Sequence, residues 1–135
     1  MGALVQTIAN NAIDASVATA SFVAITAPIH CRLMTTNGTA TAAGTELTTG
    51  GNYTSGTGAP TLTFAAAASG SAASNSAVTV TTMPAPAGGS IVGVELWDSN
   101  ATPKRLWWGA LTAPKAVSAG DTFTIASGSL TLTLN

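Results

Sequence analysis

The residues able to do chemistry are few. His30 and Cys31 are the only histidine and the only cysteine, and they are adjacent. Neighbours in a strand point to opposite faces, so these two cannot act on each other as a nucleophile pair. No second histidine, and no carboxylate cluster at ligand spacing, is present to build a transition-metal site. The five carboxylates, Asp14, Glu46, Glu95, Asp98 and Asp121, are scattered along the chain. The Ser- and Gly-rich stretches hold neither a G-x-S-x-G elbow nor a phosphate-binding glycine loop. No catalytic, metal-binding or cofactor-binding residue is assigned, no cofactor is expected, and an enzyme is the least supported class.

Residues suited to contact are easier to find. Trp107 and Trp108 adjoin in a strand candidate, so one faces the core and the other does not. Either could be the inward one, and an outward tryptophan is of a type enriched at interfaces. Together with Tyr53 and the adjacent basic pair Lys104 and Arg105, they make up the candidate interface. A sugar platform built on an outward tryptophan is a further reading, although its polar surround cannot be located from the sequence.

Composition narrows the class. The chain has 135 residues, 46% hydrophobic but only 7% charged, against roughly 25% charged in a typical soluble domain. Its polar surface must therefore be Thr, Ser, Asn and Gly, with little repulsion to keep copies apart. That suits a subunit packed among others, or a secreted domain. A net charge of −1 offers no cationic footprint for nucleic acid. A single cysteine excludes an internal disulfide framework. No apolar run approaches the ~20 residues of a membrane-spanning helix. The N-terminal residues lack a basic n-region and an apolar h-region, so export by the usual route is not expected.

The elements that must position these side chains are mostly strands. Residues 91–134 read as a four-strand block: Ile91–Trp97, Arg105–Leu111, Thr122–Ala126 and Leu130–Leu134, separated by turn clusters. In the last of these, Leu130, Leu132 and Leu134 oppose Thr131 and Thr133, which predicts one buried face. Residues 3–14 form the one helix candidate, with Val5, Ile8, Ala9, Ala12 and Ile13 in an apolar stripe. Ser21–Thr26 and Ile29–Thr35 are short strand candidates divided by Pro28. Residues 37–60 read as a long Gly- and Thr-rich loop, a feature often ordered by a partner. Thr61–Phe64 and Ala77–Thr82 add two short strands. Ala65–Ser76 is either a loop or an irregular edge. The expected fold is a single all-β domain, a β-sandwich with one short N-terminal helix.

Several segments resemble a family of small tailed-bacteriophage virion proteins, usually labelled tail fibre or minor structural proteins. They are Gly44-Thr45-Glu46-Leu47 with Gly50-Gly51-Asn52-Tyr53, Leu62–Ala67, Ser71–Val80, Val94–Asp98, Trp108–Thr122 and Gly128–Leu134. The last-but-one is the most specific. The chain departs from the family pattern at Ile29–Thr36 and at Thr54. The resemblance implies a jelly-roll-like sandwich assembled on a virion and made in the host cytoplasm.

Within that setting the sequence favours a capsid decoration protein, a small trimer reinforcing the head shell and partnered by the major capsid protein. Low charge and the lack of a shaft or coiled coil weigh that way. A tail fibre or minor tail subunit, partnered by tail proteins and facing the host, is the alternative. A carbohydrate-binding module stands third. Neither nucleic acid nor membrane is an expected partner.

Overall fold

The computed structural model describes residues 2–134. The chain runs β1 (Ala3–Leu4), α1 (Gln6–Ser16), β2 (Ile29–Thr36), β3 (Thr45–Glu46), β4 (Thr61–Leu62), β5 (Ser71–Ala73), β6 (Val78–Val80), β7 (Ser90–Trp97), β8 (Arg105–Ala116), β9 (Phe123–Ile125) and β10 (Thr131–Thr133). Strand accounts for 39% of residues and the paired strands are antiparallel, making this an all-β sandwich with one helix. The larger sheet is ordered β1-β8-β7-β2-β3, with β4 also on β2. Two ribbons, β5–β10 and β6–β9, lie across the core from it.

Alternation decides the two faces of the large sheet. Cys31, Leu96 and Trp107 are cross-strand partners, as are Leu33, Val94 and Gly109. Cys31, Leu33, Val94 and Leu96 meet Val78, Val80, Phe123, Leu130 and Leu132 of the ribbon side in the main core. The opposite face carries the partners Arg32, Glu95 and Trp108, and next to them His30, Trp97 and Arg105. A register shift separates the Leu96–Trp107 and Trp97–Arg105 pairs, leaving Leu106 without a partner across the ladder. Leu106 joins Val5 and Ile8 in a second, smaller cluster beneath α1.

Several elements differ from the sequence reading. The helix spans Gln6–Ser16 rather than residues 3–14, because Ala3–Leu4 pair with Trp107 and Trp108 as β1. Ser21–Thr26 forms no ladder. Its backbone is tied instead to the turn after β7, where the Ser99 amide donates to the Thr26 carbonyl at 2.9 Å. The return strand runs on to Ala116 through Pro114, which is exposed and so needs no ladder partner for its missing N–H. Within residues 37–60 lie β3 and a 3-10 turn at Gly56–Gly58, and Leu47, Tyr53 and Ala59 are core residues. The four strands expected over 91–134 all form, but only the first two pair with each other.

Candidate functional site

The polar face of the large sheet carries a continuous chain of charged and aromatic groups. Register places Arg32 beside Glu95, and Trp97 beside Arg105. Arg105 Nη1 meets Glu95 Oε1 at 3.0 Å, with side-chain exposures of 9% and 1%. The same oxygen accepts the Gly44 amide at 2.8 Å, while Glu95 Oε2 accepts Trp97 Nε1 at 3.0 Å. The Arg32 guanidinium lies 4.0 Å over the Trp97 ring and 3.5 Å from Glu46 Oε2. Glu46 Oε1 in turn accepts the Tyr53 hydroxyl and the Gly56 amide, each at 2.8 Å. The Tyr53 oxygen accepts the Leu33 amide at 3.1 Å, and burial pushes the phenol pKa upward.

This network holds residues 37–58 against the sheet. Arg105 also donates to the carbonyls of Ala42 at 2.6 Å and Thr39 at 2.7 Å. Two glycines permit the close approach. A Cβ on Gly38 would sit 2.3 Å from Glu95 Oε1, and one on Gly93 would sit 2.0 Å from Asn37 Oδ1. Chemically the arrangement is a clamp. Its carboxylates are already satisfied by internal donors, and buried charges so paired do not serve as free bases.

The other titratable groups also carry structural contacts. His30 Nδ1 lies 2.9 Å from the Ala59 carbonyl, which only accepts, so this nitrogen carries a proton. His30 Nε2 is 2.9 Å from Ser99 Oγ, joining β2 to the turn after β7. Cys31 is fully buried on the opposite face, and burial pushes its thiol pKa up to about 12. Asp98, also fully buried, accepts the Lys104 amide at 2.6 Å and faces the Lys104 ammonium at 3.7 Å. Among the described residues no cluster of three metal-ligating side chains occurs.

A different surface lies at the helix end. Among the described residues the exposed large hydrophobic side chains are Ile13, Val17, Phe22, Ile25 and Leu134, at 63%, 65%, 47%, 38% and 58% exposure. Phe22, Ile25 and Leu134 line a groove of about 270 Å³ floored by Leu4, Ile8 and Leu106. Ala9 borders an adjoining hollow that shares Leu4 and Leu134. Ala9, Ile13 and Val17 follow one another at four-residue spacing and so form one stripe. The chain leaves α1 through paired bonds, Thr19 N–H to Asp14 O and Ala18 N–H to Ala15 O, with Ala18 at φ 57°. This Schellman arrangement turns residues 19–25 back along the helix.

The sequence-predicted interface residues fall in several places. Tyr53 is 1% exposed and Arg105 is committed to the clamp. Lys104 pairs with Asp98 beside a hollow that Arg105 also lines. Trp107 packs against both cores and Trp108 against the helix-side cluster, and both are half-buried. The Tyr53 ring sits in the main core while its hydroxyl reaches, through Glu46 and Arg32, the same clamp that holds Arg105. Four of the exposed apolar residues differ from the sequence reading: Ile13 lies outside the inward helical stripe, Leu134 is not buried at the end of the last strand, and Phe22 and Ile25 lie in a segment that forms no ladder.

A β-sandwich most of whose charges are spent on internal pairs, and whose exposed apolar residues gather at one end, has the build of an assembly subunit. Comparison with known families makes this specific. The family described as "Podophage GP4 fiber I protein gp80" matches residues 3–133, and the chain belongs to that family. It is a structural protein of the bacteriophage virion. No curated protein matches the chain. No helix among the described residues is long and apolar enough to cross a membrane.

Proposed function

We propose that the chain is a non-enzymatic subunit of the phage tail-fibre apparatus, held by tail proteins and by other copies of itself. The observation that carries this reading is the match to a fibre family over nearly the whole sequence. The internal clamp supports it by giving a rigid body whose loops do not need a partner to be ordered. Capsid decoration is the second reading, favoured by the charge-poor, compact domain that a lattice of neighbours would accept. A sugar platform has less to stand on, because Trp97 is covered by Arg32 and the other tryptophans pack against apolar clusters.

The test is to separate heads from tails of purified particles and identify this chain in each by peptide mass spectrometry. Recovery with the tails is expected. Recovery with the head shells would replace the fibre reading with decoration.

A further inference from the structure

From the helix-end surface we infer a self-association site. The stripe Ile13–Val17 of one copy docks into the groove between α1 and Phe22–Ile25 of the next, head to tail. The inference rests on the assembly reading above in that copies of the chain hold one another; the surface and the way they dock are argued from the geometry.

Size comes first. Five large apolar side chains at 38–65% exposure make a patch in the range of roughly 300–600 Å² that marks an interaction surface on a monomer. Flanking alanines on α1 and in residues 18–27 bring it toward the ~800 Å² per partner of a stable contact. Charge comes second. Asp14 is the sole charged residue of α1 and of the segment through Ile25. A partner must therefore present an apolar, uncharged surface, since ions buried there would lose hydration without a counter-charge. Another copy supplies such a surface.

Shape comes third. The projecting stripe (Ala9, Ile13 and the capping residue Val17) runs beside Ile8 and Ala12 of α1, which line the groove with Leu4 of β1, so each copy offers both a ridge and a receptacle. A two-fold contact centred on the ridge would bring Asp14, three residues before Val17, toward its own copy. Head-to-tail docking avoids this, and such contacts build a ring where the rotation between copies closes and an open filament where it does not.

The test uses the purified full-length chain, with mass read by light scattering and native mass spectrometry. The wild type is expected as an oligomer that dissociates on dilution. Ile13→Glu/Val17→Glu and, separately, Phe22→Glu should each give the 13.2 kDa monomer, with near-ultraviolet circular dichroism unchanged. Ala119→Glu, in the turn beyond the far end of β8, should keep the wild-type mass. Mixing the ridge variant with the groove variant should restore a dimer and nothing larger.

A wild type that stays monomeric at its solubility limit overturns the proposal, as do patch variants that keep the wild-type mass. A mixture that stays monomeric overturns the head-to-tail geometry. A monomer that binds another virion protein through Ile13 and Phe22 replaces the second copy with that partner. Recovery of the chain with tails would leave the fibre reading standing through any of these failures. An oligomer formed by a chain missing from particles would do the reverse.

Discussion

On the same side of the large sheet, residues 37–44 are held by ions and α1 is held by apolar packing. The first region ends in a closed network, the second in an open patch. Three of the four basic residues, Arg32, Lys104 and Arg105, sit in internal ion pairs. Lys115, Asp14 and Asp121 are the charged residues left exposed. A chain this poor in charge could have spread its ions over the surface to stay soluble. Instead they fasten a loop rich in Thr and Gly that has little apolar area of its own to bury. The helix end, with ample apolar area, carries a single charge, Asp14. The contrast separates what the fold needs from what it presents to others.

The comparison can be broken first at the clamp. Glu95→Ala strands the Arg105 guanidinium in a nearly closed site and should cost about 3–5 kcal/mol. Denaturant midpoints measure this, and a wild-type midpoint would mean that the loop is held by something else. Leu132→Ala in the main core should cost about 2–5 kcal/mol. A smaller loss would put β10 outside the core that the ribbons close.

The helix end offers a change of opposite sign. Ala18 adopts a left-handed conformation that glycine takes without strain, so Ala18→Gly should stabilise by roughly 0.5–1 kcal/mol. A destabilised variant, read from thermal unfolding, would contradict the geometry of this turn. The smallest effect concerns salt. The ion pairs are shielded and few surface charges remain to be screened, so unfolding and self-association should vary little with ionic strength. Steep salt dependence in either would show that exposed charges carry more of the energy than the fold allows.

Legibility followed the same division. β2, β7, β8 and β10 were readable because β-branched, aromatic or alternating residues mark them. Val5 and Ile8 were readable as an inward helical stripe. The clamp was not readable, since Arg32, Glu46, Glu95 and Arg105 come from four strands and meet only through register. The partners of β5 and β6 were equally hidden, because Ser, Ala and Thr fit many pairings. The patch was misread for a physical reason. Period alone assigns Ile13 and Leu134 to a core, but a core face is set by what packs on it. α1 begins at Gln6 and turns Ile8 inward, leaving Ile13 outside. The tryptophans stand out by type but pack against the apolar clusters, whereas Val17, in the docking patch, carries no distinguishing signal in the sequence.

The most direct test of the account is the copy number of this chain per virion, by quantitative mass spectrometry against the major capsid protein. A fibre subunit built from self-associating copies predicts tens of chains per particle. A ratio approaching one chain for every one or few capsid subunits would contradict that and make the protein a decoration of the shell.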